Sequence, residues 1–220
     1  MPDVERWAAD NGLVVASLLT GPVYLRGLCL TSPDVAVRRR TVDQLVRYVD
    51  VAAQLRAVLV VGLLQGQRSD APDDAVAQGR IADGLARVAE VANGLQVVVA
   101  VEPVNHLQVG FNHTVAEVQR LVARIGSPAL LPMVDTMHLH IEEQSPVAAI
   151  EACGADLAHV HLCDSHGKLV GSGGFDFVLV MAALQRSRYA GFLSVKVYRE
   201  PWRDVAAASL QLLQAQLATS

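Results

Sequence analysis

Four ionisable residues fall at or near the ends of short apolar runs. Glu102 closes Val97–Glu102 and Asp135 closes Leu130–Asp135; His161 sits in Leu157–Leu162 and Lys196 in Phe192–Val197. Alternate residues of an extended strand face opposite sides. One parity of these runs is wholly apolar: Val97, Val99, Val101; Leu130, Pro132, Val134; Ala158, Val160, Leu162; Leu193, Val195, Val197. The other reads Val98, Ala100, Glu102; Leu131, Met133, Asp135; Leu157, His159, His161; Phe192, Ser194, Lys196. Four successive runs therefore aim Glu102, Asp135, His161 and Lys196 into one interior. Isolated buried charges are expensive, so such groups pair, hold a metal or shift their pKa. Ligands and catalysis in parallel α/β folds sit at the carboxyl ends of strands. A buried ion-pair network without function is the plain alternative.

The neighbours add polar groups. Asn105 and His106 follow Glu102, His138 follows Asp135, and Asp164 and His166 follow His161. Asn105, His138 and His166 are the candidate substrate-binding residues. His159 lies deeper on the parity of His161 and reads as a hydrogen-bonded core histidine. His140, Glu142 and Glu143 read as solvated. Gly171-Ser172-Gly173-Gly174 is neither a dinucleotide fingerprint nor a P-loop, and reads as a loop before a helix.

The elements that must position these groups alternate. Two further runs, Leu13–Leu19 and Val58–Leu64, precede the four. Runs so short and apolar read as strands buried on both faces of a parallel sheet. Between them lie segments of helical spacing. Ser32-Pro33-Asp34 offers an N-cap, a proline at the first helical position and a first-turn acid. Thr114 can cap Val115–Ile125, and Gly126 can end it. Helices are also expected near Val4–Asp10, Asp74–Asn93, Pro146–Cys153, Phe175–Arg188 and Arg203–Leu217. Strict βα alternation makes this an α/β fold with right-handed crossovers, either an open doubly wound sheet or most of a barrel.

Composition excludes other classes. The 220 residues are 52% hydrophobic and 18% charged, which suits one packed domain over residues 1–220. The net charge of −4 gives no footprint for nucleic acid or anionic membrane. No apolar run is long enough to span a bilayer. The N-terminus lacks a signal-peptide pattern, and Cys29, Cys153 and Cys163 form no framework. A cytoplasmic protein with reduced thiols is expected.

The series Val101-Glu102-Pro103-Val104-Asn105, Val134-Asp135-Thr136-Met137-His138, His159-Val160-His161-Leu162-Cys163-Asp164 and Gly171-Ser172-Gly173-Gly174-Phe175-Asp176-Phe177 resembles the xylose-isomerase-like TIM-barrel superfamily. The resemblance runs over nearly the whole chain. It implies a (β/α) barrel of TIM type, here incomplete. The six runs match strands three to eight, so the first two βα elements are missing. It also implies one divalent ion (Mn, Mg, Co or Zn) held by Glu, Asp, His and Glu. Glu102, Asp135 and His161 match the first three ligands, and His138 matches a histidine that contacts substrate. The final glutamate, ligand and acid/base, falls on Lys196, one of only two lysines in the chain. Glu200 lies about 13 Å further along an extended strand and cannot easily replace it.

The resemblance implies a sugar or keto-polyol isomerase or epimerase with Glu102 and Lys196 as catalytic residues. A dehydratase or lyase of the same fold, or a catalytically degenerate member, is the alternative. An ammonium at the metal position weakens or abolishes metal binding. Lys196 either replaces the ion, acts as a neutral base, or marks lost catalysis. The expected partners are a small sugar and, because a barrel short of two strands leaves open edges at Leu13–Leu19 and Phe192–Val197, further copies of the chain or a longer natural chain.

Overall fold

The computed structural model describes residues 2–198 and 202–218. Seven short parallel strands follow chain order in two segments. β1 (Ser17–Leu19), β2 (Val58–Val61), β3 (Val99–Val101) and β4 (Leu130–Pro132) form one; β5 (Val134–Asp135), β6 (Val160–Leu162) and β7 (Leu193–Val195) form the other. Only Met133 separates β4 from β5. Its N–H donates to the Val101 carbonyl at 3.1 Å, whereas the next N–H, of Val134, donates to the His159 carbonyl at 3.2 Å. The fourth expected run is thus one stretch that changes partner at Met133. All six runs are parallel neighbours in sequence order.

Helices pack outside this sheet. α1 (Pro2–Asp10) precedes β1, and the short α2 (Gly21–Tyr24) follows it. α3 (Val35–Leu55), α4 (Asp74–Gly94) and α5 (Val115–Ile125) make the next three crossovers. α6 (Thr136–Glu142) and α7 (Pro146–Cys153) lead from β5 to β6, α8 (Phe177–Arg186) leads to β7, and α9 (Trp202–Ala218) comes last.

Local chemistry explains the boundaries. Thr114 accepts from the Glu117 N–H while the Glu117 carboxylate accepts from the Thr114 N–H, a reciprocal cap. Gly126 ends α5 at φ 70°, in the left-handed region that glycine enters freely. The start of α3 differs from expectation. Asp34, not Ser32, is the N-cap, accepting from the Ala36 N–H at 2.7 Å. The Ser32 hydroxyl accepts instead from the Asp34 N–H and so orients the capping residue.

The alternation of side chains sorts the core into two layers. Val99, Val101 and Leu130 pack against α3, α4 and α5, and Val134, Val160 and Leu162 pack against α7 and α8. Val60, Ala100 and Met133 form a small cluster inside the sheet. One pair departs from the expected parity. Leu157 packs in the outer layer and Ala158 rests against the inner cluster. A 3-10 turn over Gly154–Asp156 delivers the chain, and regular strand begins only at Val160, so alternation fails before it.

No ladder joins β7 to β1 among the described residues. The residues of β3 and β6 are all buried, whereas those of β1 and β7 are not. Leu19 is 48% exposed and Phe192 51%, an apolar margin on each side of the opening.

Candidate active site

The carboxyl ends of β3, β5, β6 and β7 converge. Glu102 follows β3 and is locked there by its own N–H, which donates to the Val61 carbonyl at 2.9 Å. Gln65 adds a second tether by donating from Nε2 to the Glu102 carbonyl at 2.9 Å. Gly62 must be glycine, because an added Cβ would overlap the Glu102 carboxylate. Asp135 ends β5 and also caps α6: its Oδ1 accepts from the Met137 N–H at 2.9 Å. The backbone register sets Asp135 beside His161. Thr136 clamps the two strand ends, donating to the Cys163 carbonyl at 2.6 Å and accepting from the Cys163 N–H at 2.8 Å.

Glu102, Asp135, His138 and His161 are all buried. His161 Nδ1 lies 3.0 Å from Glu102 Oε1 and 3.7 Å from Asp135 Oδ2. Lys196 Nζ donates to Asp135 Oδ2 at 2.9 Å and stands 3.5 Å from Glu102 Oε1. His138 Nε2 is 4.0 Å from the same Glu102 oxygen. Glu102, His138 and Lys196, with Gln108, Tyr198 and Thr20, line a small cavity of about 110 Å³.

Burial alone would push the Glu102 carboxyl up; Lys196 and His161 outweigh it and hold Glu102 near about 2. Asp135 is held below the carboxylate range by the same balance. Burial disfavours a charged His161, but the Asp135 and Glu102 carboxylates lift it to about 9. Burial likewise opposes charge on Lys196, and Glu102 and Asp135 outweigh it, raising the ammonium above its ordinary value. At neutral pH two carboxylates thus face one imidazolium and one ammonium, and the cluster closes to zero charge.

Glu102, Asp135 and His138 each offer a ligand atom within 4.8 Å of the others, a group that could hold a metal ion. The donor types suit Mn, Mg, Co or Zn. Lys196, however, already satisfies both carboxylates. A dication drawn to those oxygens would stand against the ammonium in a buried site, where repulsion is strong. With Lys196 charged and in this position, the residues do not fit a divalent ion.

Two candidates lie away from the cavity. Asn105 is buried behind His138, its Nδ2 2.7 Å from His138 Nδ1, and reaches the cavity only through that ring. His166 is exposed, with Nε2 3.3 Å from the Ser172 carbonyl of its own loop. That loop is gathered by Asp164, which is fully buried and accepts from the N–H groups of Ser165, Gly171 and Gly173. The glycine-loop amides are therefore engaged by a carboxylate of the same chain. Glu200 lies outside the described residues. His159 is buried, with Nε2 3.0 Å from the Ser194 hydroxyl; burial and the neighbouring His161 lower it to about 4.

Sequence reasoning missed Gln65, Gln108 and Tyr198. Gln65 ends a single 3-10 turn (Leu63–Gln65) after β2 and Gln108 sits in a turn after β3, segments too short for periodicity to mark them. Tyr198 had a signal, since it shares the parity of Lys196.

The chain matches the xylose isomerase-like TIM barrel profile over residues 2–216. It is 30% identical over 172 residues to L-ribulose 3-epimerase of Mesorhizobium japonicum, spanning 77% of this chain and 58% of that protein. With D-psicose 3-epimerase of Agrobacterium fabrum it shares 26% identity over 220 residues, 94% of this chain and 75% of the relative. A solved L-ribulose 3-epimerase structure superposes with a TM-score of 0.87 at 26% identity, covering 99% of this chain and 79% of the other. Parallel strands in chain order, ionisable residues at their carboxyl ends and these three likenesses agree, and the chain belongs to the xylose isomerase-like TIM-barrel family.

Proposed function

We propose that the chain enolises a small ketose, as an isomerase or epimerase of the ketose 3-epimerase kind, with Glu102 as base and Lys196 as resident cation. The observation that carries this is the convergence of Glu102, Lys196 and His138 on one small cavity at the strand ends. Glu102 takes a proton from the carbon beside the carbonyl. The C–H electron pair becomes the new C=C bond, and the carbonyl oxygen becomes an enolate oxygen. Lys196, with its ammonium already in the site, donates to that oxygen, the electrophilic help that a metal gives elsewhere. Return of the proton completes the reaction. Metal carries no step in this scheme.

Abstraction at C3 with return to the opposite face gives the epimer; abstraction at C1 with return to C2 on the same face gives an aldose. Near-attack contacts need about 3 to 3.5 Å on each side of the reacting carbon. The 3.5 Å between Lys196 Nζ and Glu102 Oε1 leaves no room for a sugar carbon between them. That spacing favours same-face return, hence isomerisation, as the second reading.

Incubation with ribulose, psicose, fructose and tagatose in heavy water decides between them. Deuterium at C3 with a new ketose supports epimerisation; an aldose supports isomerisation. No exchange with any of the four removes the proposal. Glu102→Gln is expected to slow exchange by about 10²-fold or more, the usual loss of a positioned base.

The domain is taken to run over residues 1–220, and the setting to be cytoplasmic. No described helix is long and apolar enough to cross a membrane, and the three cysteines are buried and free. The half-exposed margins of β1 and β7 support self-association, because unpaired edges invite pairing. Sedimentation is expected to show a dimer or larger species, and a monomer at all concentrations would refute it.

A further inference from the structure

We infer that Asn105 is a positioning residue that fixes the tautomer of His138, so that the imidazole presents Nε2–H to the cavity. Asn105 is 1% exposed and His138 1%, so neither can turn to water for a partner. The amide of Asn105 has two ends, and both are assigned by their neighbours. Its Oδ1 accepts from the backbone N–H of Leu107 at 3.1 Å. Its Nδ2 stands 2.7 Å from His138 Nδ1. A flipped amide would set an NH₂ group against the Leu107 N–H, two donors facing each other. The Leu107 amide therefore fixes Asn105, and Asn105 fixes His138. A neutral imidazole that accepts at Nδ1 carries its proton on Nε2.

The consequence is a division of roles between the two buried histidines. Nε2 of His138 has no lone pair free for a cation; it is a hydrogen-bond donor aimed into a cavity that also holds Glu102 and Lys196. Such a donor fits an oxygen that gains negative charge, as the carbonyl oxygen of an enolising sugar does. The use of the donor rests on the cavity being the sugar site; the tautomer does not.

Asn105→Asp tests the chain of bonds with almost no change of shape. An aspartate keeps an oxygen for the Leu107 N–H but turns the other end from donor to acceptor, so Nδ1 must take a proton. The readout is ¹⁵N NMR of the histidine rings, with the His138 signals assigned through His138→Gln. Wild type is expected to show a protonated Nε2, an unprotonated Nδ1 and a scalar coupling across the Asn105 Nδ2–H···Nδ1 bond. Asn105→Asp is expected to protonate Nδ1 and to abolish that coupling. A wild-type His138 protonated on Nδ1, or lacking the coupling, overturns the inference whether or not any sugar reacts. Should Asn105→Asp fail to fold, the wild-type coupling alone decides. Sugar turnover without the tautomer would defeat this inference alone; the tautomer without turnover would defeat only the proposed activity.

Discussion

Lys196→Glu is expected to raise affinity for Mn²⁺ by on the order of 10³-fold over a wild type that binds it weakly or not at all. Lys196 Nζ lies 2.9 Å from Asp135 and 3.5 Å from Glu102, so any ion sharing those oxygens meets the ammonium at close range. At an effective dielectric near 20, a dication and a unit charge about 4 Å apart interact by about 8 kcal/mol, and the substitution changes the sign of that interaction. Desolvation of the ion offsets much of it. Geometry favours the variant as well. Glutamate is one bond shorter than lysine, so its carboxylate withdraws from the position of the ammonium and leaves room for an ion beside Glu102 and Asp135. Titration calorimetry with Mn²⁺ on both proteins measures the difference. Tight wild-type binding that the variant does not improve would show that Lys196 is not the resident cation.

Lys196→Met should destabilise the fold by about 3 kcal/mol at pH 7, because it strands two buried carboxylates while keeping the aliphatic stem. Asp135 has no exposed side-chain surface and that of Glu102 is 7% exposed, so water cannot replace the lost partner. The loss should shrink as pH falls from 7 toward 4, since carboxyl groups no longer held low then protonate. The wild type has its own pH window. Glu102 is lowered from 4.5 to about 2, so its contribution is present above 4.5 and disappears as pH falls through about 2. His161 is raised from 6.5 to about 9, so its contribution is present below 6.5 and disappears as pH rises through about 9. Wild-type stability is therefore expected to be flat between roughly pH 4.5 and 6.5 and to fall on both sides. Urea unfolding across this range checks both points. Equal stability of Lys196→Met and wild type at pH 7 would mean that the carboxylates reach water without it.

The amino-acid order by itself determined the strands, their parallel order and the face on which Glu102, Asp135, His161 and Lys196 lie. Those features are local, since β-branched runs with period-two alternation carry them residue by residue. Caps were legible where a side chain bonds within its own turn, as at Thr114. They were misread at Ser32, where Asp34 competes for the same role. The parity of Leu157 and Ala158 could not be read, because a preceding 3-10 turn shifts the phase of alternation. Only the tertiary structure decided which polar neighbours reach the cavity. Asn105 stops behind His138, His166 turns outward with its loop, and Asp164 is consumed as an anchor for glycine amides. Gln65 and Tyr198 entered because segments far apart in sequence meet there. Loop residues carry no period, so their direction is set by whichever buried donor or acceptor they must satisfy, and that partner is known only once the strands have brought the loops together.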